Sequence, residues 1–126
     1  MAYRLLFTDM SPMVEEVMHF AMDSEEYIVD TSQTFQKTYS LINENKYDLL
    51  ILDYDLNAFE LVNDARKSRY NKEVEILITS FLNESEIRKT AKKLGVSGWI
   101  EKPFIPERLV KKIKDFLAEN EKQKKI

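Results

Sequence analysis

The feature that most constrains the fold is a short apolar run with an acid at each end, Asp48, Leu49-Leu50-Ile51-Leu52 and Asp53. An uninterrupted run of this length is typical of a strand buried on both faces, in the centre of a parallel sheet. Such a strand ends at the carboxyl edge of the sheet, where open α/β sheets bind their ligands. We therefore expect the fold to present the Asp53 carboxylate at that edge.

The composition indicates one globular domain. The chain has 126 residues, of which 44% are hydrophobic, and this is enough for a core without covalent cross-links. Cys is absent and His19 is the single histidine, which excludes a disulfide framework and a thiolate or histidine-rich metal site. The net charge of -3 gives no basis for binding nucleic acid or an anionic membrane. Because no apolar run is long enough for a membrane span or a signal peptide, we expect a cytoplasmic protein.

Strand and helix patterns alternate along the whole chain. This alternation predicts a parallel sheet with helices on both faces, and right-handed crossovers make it a doubly wound three-layer sandwich. We expect the flavodoxin-like form, with five strands in the order 2-1-3-4-5 and a crevice between strands 1 and 3. Besides the opening run, the predicted strands are Tyr3–Thr8, Tyr27–Val29, Val74–Thr79 and Gly98–Glu101.

Capping signals place the helices between these strands. Ser11 followed by Pro12 predicts the start of the first helix, and Asn83 with Glu86 forms a capping box for the fourth. The remaining predictions are an inner face of Phe35, Tyr39 and Ile42 on the second helix, a third helix over Phe59–Arg69, a glycine cap at Gly95, and a last helix that starts at Pro106 and frays from Glu119. Residues 1–120 are predicted to form the domain and residues 121–126 a charged tail or linker.

Side chains suited to phosphoryl chemistry follow the strands. Individually, an Asp after a strand is usually a helix cap, a Thr-Ser pair a turn, and a Lys before Pro a solvated residue. Together they fit a single function, because a carboxylate can attack phosphorus, and a lysine and a hydroxyl can bind the phosphoryl oxygens. Mg²⁺ needs only one or two carboxylates plus waters. The residues concerned are Asp9 and Met10 after strand 1, Asp53 after strand 3, Thr79 and Ser80 after strand 4, and Lys102 after strand 5.

Four motifs occur in register along the chain. They are Asp9-Met10-Ser11-Pro12, Leu49-Leu50-Ile51-Leu52-Asp53, Ile76-Leu77-Ile78-Thr79-Ser80 and Gly98-Trp99-Ile100-Glu101-Lys102-Pro103-Phe104. With these motifs the chain resembles the receiver domain of two-component response regulators, of the chemotaxis single-domain type, over essentially its whole length. The last motif is the most specific of the four.

The resemblance implies a phosphoacceptor with at most slow self-dephosphorylation, rather than an enzyme. Asp53 would take a phosphoryl group from a histidine kinase or phosphotransfer protein. Asp9 and Asp53, with the backbone carbonyl of Asp55, would hold Mg²⁺. Thr79 would donate a hydrogen bond to a phosphoryl oxygen, and Lys102 would pair with the phosphoryl group.

The resemblance also implies a switch. Trp99 stands where the family has its switching aromatic residue, usually Tyr or Phe, and a half-buried aromatic residue of the strand is the alternative interpretation. The Lys102–Pro103 peptide bond is the one that the family holds cis. Phosphorylation would draw Thr79 toward the phosphoryl group, and Trp99 would fill the vacated space. A downstream protein partner would then bind the surface formed by the fourth helix, the fifth strand and the fifth helix. The sequence leaves open a single-domain regulator or a fragment that lacks its output domain.

Two departures from the family pattern bear on the metal. Met10 replaces the second acid of the opening pair, and a thioether is a soft ligand that Mg²⁺ does not favour. The segment after Asp53, Tyr54-Asp55-Leu56-Asn57-Ala58, has neither Pro nor Gly where the family has both. The Asp55 carboxylate could replace the missing charge, or it could be solvated or cap the third helix, and both interpretations stay open.

Three other functions are supported less well by the residues. A pseudo-receiver that binds a partner without phosphorylation is compatible with Met10 and the altered loop. Asp53-Tyr54-Asp55 resembles the Asp-x-Asp of haloacid-dehalogenase-type phosphatases, but those place the motif on their first strand and need a larger body. A flavodoxin requires a Ser/Thr/Gly-rich phosphate loop after strand 1, which Met10-Ser11-Pro12-Met13 does not provide.

Overall fold

The computed structural model describes residues 2–124 and shows five parallel strands in the order β2-β1-β3-β4-β5, which confirms the predicted topology. The strands are β1 Tyr3–Thr8, β2 Tyr27–Ser32, β3 Leu49–Asp53, β4 Glu75–Ser80 and β5 Gly98–Glu101. The helices are α1 Pro12–Met22, α2 Phe35–Glu44, α3 Ala58–Lys67, α4 Glu84–Leu94 and α5 Pro106–Lys124, with a 3₁₀ turn over Tyr54–Leu56. Within residues 2–124, no helix is both long and apolar enough to cross a bilayer.

The apolar run of β3 forms the centre of the core, because all five of its residues are buried. Leu49 and Ile51 pack into the cluster that contains α1 and α5 side chains, whereas Leu50 and Leu52 pack into the cluster of α2, α3 and α4. Successive side chains of a strand point to opposite faces, so a continuous apolar run fills both layers. The prediction of a strand buried on both faces is confirmed.

The capping predictions are confirmed. The Ser11 side chain accepts a hydrogen bond from the Val14 amide, and Pro12 occupies the first helical position. At α4, Asn83 Oδ1 accepts from the Glu86 amide at 2.9 Å, and the helix ends at Gly95 with φ = 70°. A left-handed conformation of this kind is the reason for a glycine there.

Three boundaries differ from the predicted ones. β2 continues to Ser32, because it pairs with β1 along its full length, from Tyr3 opposite Tyr27 to Thr8 opposite Ser32. β4 is shifted by one residue, to Glu75–Ser80. α3 spans Ala58–Lys67 rather than 59–69, since the 3₁₀ turn and Asn57, at φ = 58°, set its start.

Two helical predictions were wrong. Tyr39 of α2 is 46% exposed, and Thr38 takes the buried position beside it. Thr38 Oγ1 donates to Thr34 O and lies within hydrogen-bond distance of Ser32 Oγ, so its hydroxyl is satisfied inside the core. α5 does not fray at Glu119 but remains helical to Lys124, while residues 125–126 of the predicted tail lie outside the described part of the chain.

Candidate functional site

The carboxyl edge of the sheet brings the predicted site residues together. Asp53 is the last residue of β3 and lies directly opposite Thr79 of β4. Asp9 follows β1, which is the other neighbour of β3. Lys102 follows β5, and its amide donates to Ser80 O at 2.7 Å. Each site residue is therefore placed by the end of a different strand.

The Asp53 carboxylate is 1% exposed and both of its oxygens are engaged. Lys102 Nζ donates to Oδ2 at 2.9 Å, and the Met10 amide donates to the same oxygen at 3.3 Å. The Asp55 amide donates to Oδ1 at 3.0 Å. The acid is thus held by donors from three loops at one edge of the sheet.

Lys102 connects the two acids. Its ammonium lies 3.0 Å from Asp9 Oδ2 and 2.9 Å from Asp53 Oδ2, and its side chain is 8% exposed. Burial alone would lower the pKa of Lys102, but hydrogen bonds and charge attraction from Asp53 and Asp9 outweigh it and raise the pKa. Lys102 therefore stays protonated at neutral pH. The Lys102–Pro103 peptide bond is cis.

Thr8 is a site residue that the sequence reasoning missed. Its Oγ1 accepts from the Asp53 amide at 2.9 Å and donates to Ile51 O at 3.0 Å, fully inside the sheet. The hydroxyl thus fixes the backbone at the point where β3 ends. A polar residue at the buried end of an otherwise apolar strand was the signal that could have revealed it.

Thr79 carries a hydroxyl with spare hydrogen-bonding capacity. Its side chain is completely buried, and among residues 2–124 its Oγ1 has no hydrogen-bond partner. In-register residues of parallel strands point to the same face, so the hydroxyl lies on the Asp53 side of the sheet. A buried hydroxyl without a partner is costly, and a ligand oxygen beside Asp53 would satisfy it.

Phe81 and Met10 form part of the exposed rim of the site. Lys102 Nζ lies 5.4 Å from the centroid of the Phe81 ring, and Phe81 is 66% exposed. Met10 is 57% exposed and Ile105 is 53% exposed. Sequence reasoning did not assign Phe81, because a single aromatic residue after a strand gives no signal of its contact with a distant lysine.

The donor set can be tested against Mg²⁺, the metal implied by the resemblance. The carboxylates of Asp9 and Asp53 are hard donors, and both contact the Lys102 ammonium. Two carboxylates are enough to bind Mg²⁺ when waters complete its coordination. Within the described residues no group of three or more acids or histidines is placed to bind a metal, and the Asp55 side chain is exposed. Asp55 could therefore contribute through its backbone carbonyl. The residues present fit a weak magnesium site.

Trp99 lies in β5 and pairs with Ile78 of β4, one position before the pair formed by Thr79 and Ile100. The indole is half-buried and packs against the core cluster that contains Ile87 of α4. It also faces Arg88, whose guanidinium carbon is 5.6 Å from the ring centroid. The candidate switch residue is thus in contact with α4, and along β5 it precedes Ile100, the residue paired with Thr79.

The fold and the edge residues define a CheY-like α/β domain, and comparisons with known proteins agree. CheY4 of Vibrio cholerae aligns with a TM-score of 0.81 and 24% identity, over 91% of this chain and 98% of that one. A CheY-like receiver domain protein of Methanospirillum hungatei JF-1 gives the same score and identity, over 98% and 99%. The transcriptional regulatory protein SrrA of Staphylococcus aureus is 25% identical over 93% of this chain. The chain spans about half the length of the curated relatives that it matches, 48% in the case of SrrA.

The profile of the response regulator receiver domain matches residues 5–114. The chain therefore belongs to the response regulator receiver domain family. It is a receiver domain of two-component signal transduction, a family of phosphoacceptors rather than conventional enzymes.

Proposed function

We propose that Asp53 accepts a phosphoryl group from the phosphohistidine of a histidine kinase or phosphotransfer protein. The observation that carries this proposal is the arrangement around Asp53, in which the Lys102 ammonium bridges the carboxylate to Asp9 beside the unpartnered hydroxyl of Thr79. A positive charge and a free donor beside the carboxylate support the binding of phosphoryl oxygens once Lys102 has moved off Asp53 Oδ2. Donors held near the reacting atoms reduce the rearrangement that is needed when charge moves in the reaction.

In the proposed reaction an Asp53 oxygen attacks phosphorus in line with the donor histidine. The phosphorus–nitrogen bond breaks as the phosphorus–oxygen bond forms, and Asp53 becomes an acyl phosphate. Lys102 pairs with the phosphoryl group, and the Thr79 hydroxyl donates to one of its oxygens. Asp9, Asp53 and the Asp55 carbonyl would hold Mg²⁺, which supplies neutralising charge for the phosphoryl oxygens.

The burial of Asp53 sets a condition for this reaction. At 1% exposure, with Lys102 on Oδ2, the carboxylate cannot meet a donor until the lysine side chain shifts. Phe81 and Met10, at the exposed rim, mark the side from which a donor has to approach. Transfer therefore includes a displacement of the Lys102 ammonium from between the two acids.

The proposal can be tested by phosphorylation with acetyl phosphate and Mg²⁺, followed by intact-mass measurement. The wild-type chain should gain one phosphoryl group and Asp53→Ala none, while Asp55→Ala, a neighbouring exposed acid, should still be modified. No incorporation into the wild type even at high Mg²⁺ would rule the proposal out.

We also propose that Met10 weakens Mg²⁺ binding, because it stands where a second carboxylate would add a hard ligand. Met10→Asp should tighten Mg²⁺ binding by on the order of tenfold, since ligand charge is a main determinant of affinity at such sites. Met13→Asp is the matched control, because Met13 is also exposed near the start of α1 but, unlike Met10, makes no hydrogen bond to Asp53 among the described residues. Equal affinities of the two variants in a calorimetric Mg²⁺ titration would contradict the proposal.

For the output we propose a population shift. Phosphorylation draws Thr79 toward the phosphoryl group, Trp99 moves into the vacated space, and the α4-β5-α5 surface changes for a downstream protein partner. The packing of Trp99 of β5 against α4 supports this route. Titration with Mg²⁺ and then beryllofluoride should alter the fluorescence of Trp99, the only tryptophan of the chain.

The alternative is a pseudo-receiver that binds its partner regardless of phosphorylation. Met10 in place of an acid and the closed position of Lys102 over Asp53 favour it. It predicts equal partner affinity with and without beryllofluoride. A clear change in affinity would refute it.

A further inference from the structure

A contact between two side chains, Arg88 of α4 and Trp99 of β5, connects these two elements. The guanidinium carbon of Arg88 lies 5.6 Å from the centre of the indole, which is within the range of a cation–π interaction. Arg88 is in turn held by Glu84, one helical turn earlier, with Nη2 at 2.5 Å from Oε1. Both of these charged side chains are about 60% exposed, at 63% and 64%, so the pair itself adds little stability. Its effect is to orient the guanidinium over the ring.

The contact between Arg88 and Trp99 joins a fixed part of α4 to the candidate switch residue of β5. Ile87, immediately before Arg88, is fully buried in the core, so the backbone of α4 is fixed at this point. Trp99 lies opposite Ile78, and the next pair along the two strands is Thr79 with Ile100. Any movement of the indole away from this position, as the proposed function requires, has to separate it from the guanidinium of Arg88 on α4.

We propose that Arg88 is a positioning residue that holds Trp99 in its resting place and thereby sets the threshold of the switch. This inference rests on the proposed function, in which Trp99 moves when Thr79 is drawn toward a phosphoryl group. A contact made only in the resting state stabilises that state, and a ligand that favours the other state has to overcome it. Loss of Arg88 should therefore make activation easier rather than harder.

The size of the effect follows from the interaction. A cation over an indole at a partly exposed site corresponds to about a two- to fivefold change in an equilibrium constant. Arg88→Ala should lower the half-saturating concentration of beryllofluoride, at saturating Mg²⁺, by about that factor. Arg88→Lys keeps a cation within reach of the ring and should restore much of the wild-type value. Lys92→Ala is the matched control, because Lys92 is an exposed cation one turn further along α4 that makes no ion pair or ring contact among residues 2–124.

Two measurements test the proposal. Acrylamide quenching of Trp99 in the ligand-free chain reports whether Arg88 covers the ring, and Arg88→Ala should be quenched more strongly than the wild type or Lys92→Ala. Calorimetric titration with beryllofluoride reports the threshold without using the tryptophan signal.

The outcomes separate this inference from the proposed function. Wild type and Arg88→Ala with equal quenching, or with equal beryllofluoride midpoints, overturn the role of Arg88 and leave the proposed function standing. If Lys92→Ala changes the quenching or the midpoint as much as Arg88→Ala does, the positive charge of α4 is responsible rather than the contact with the ring. That result also overturns the role of Arg88. A wild-type chain that binds no beryllofluoride overturns the proposed function and the switch role of Arg88 together.

Discussion

Lys102 is the side chain on which the site depends most. Its ammonium contacts both Asp9 and Asp53, at 3.0 and 2.9 Å, and all three side chains are at most 8% exposed. A buried carboxylate is tolerated only when it is paired, and here one cation serves two acids. The lysine is therefore structural in the free protein as well as a candidate ligand for phosphate.

Replacing this lysine should be costly. Lys102→Met leaves two buried carboxylates without their cation, and we expect a loss of about 3–5 kcal/mol in the free energy of unfolding. Lys111→Met is the control, because Lys111 pairs with Asp115 on the surface at 77% and 66% exposure, and it should cost less than about 1 kcal/mol. Urea denaturation of both variants gives the comparison, and equal losses would contradict the assigned role.

The pH dependence of this contribution has a definite sign. The pKa of Lys102 is raised in the folded state, so its stabilisation is complete below the unfolded value and is lost as pH rises through the folded one. The gap in unfolding free energy between wild type and Lys102→Met should stay constant between neutral pH and about pH 10 and shrink above it. Tyr3, whose hydrogen bond to Glu121 raises its pKa to about 12, titrates in both proteins and cancels. A gap that persists in alkali would argue against the prediction.

The juxtaposition of Asp9, Asp53, Thr79 and Lys102 could be predicted from the sequence, because each ends a strand and parallel strands end at one edge. Phe81 could not, since its contact with Lys102 depends on a side-chain direction that no spacing encodes. Thr8 left a signal, a polar residue at the end of an apolar strand, but its bond to the Asp53 amide needs the packed strands to be seen. Their roles are visible only when strand ends and loops are placed together.

At the scale of the elements, the Asn71 side chain joins the end of α2 to the segment before β3, a connection that the strand pairing of the sheet does not make. The side chain is 1% exposed; its Nδ2 donates to Ile42 O and Asn45 O at the end of α2, and its Oδ1 accepts from the Tyr47 amide before β3. The amide group thus satisfies three backbone groups, in the last turn of α2 and in the loop that leads to β3, at the amino edge of the sheet. It fixes the start of β3, whose other end carries Asp53.

Asn71→Ala should therefore destabilise the fold strongly. Two buried backbone groups and one partly buried group lose their partner, and at about 1 kcal/mol or more for each we expect a loss of about 3 kcal/mol. Asn43→Ala is the comparison, since the Asn43 amide bonds Tyr39 O and Asp64 at a half-buried surface position. Thermal or urea unfolding should rank the two variants clearly, and a smaller loss for Asn71→Ala would show that water replaces its hydrogen bonds.

Sequence patterns predicted the elements whose signal is local. The run in β3 and the caps at Ser11 and Asn83 are confirmed, because burial on both faces and capping depend on neighbouring residues. The last three residues of β2 were missed, since polar Thr31 and Ser32 become strand only by pairing with β1. The 3₁₀ turn before α3 was also missed, because it depends on Asn57 adopting a left-handed conformation that most residues other than glycine avoid.

For the molecule as a whole, the proposed chemistry predicts a change in stability. A ligand that binds only the folded chain stabilises it by about 2.7 kcal/mol at one hundred times its dissociation constant. Mg²⁺ with beryllofluoride should therefore raise the unfolding temperature of the wild type and leave that of Asp53→Ala unchanged. A shift of equal size in both would indicate binding away from the carboxyl edge.

The Lys102 ammonium between Asp9 and Asp53 also bears on how the purified protein is handled. An ammonium already compensates the repulsion between the two acids, so the resting chain does not rely on a divalent ion for its integrity. Prolonged dialysis against a chelator such as EDTA should leave its circular dichroism spectrum unaltered. The purified protein could then be stored without metal, and Mg²⁺ would be added only for the assay.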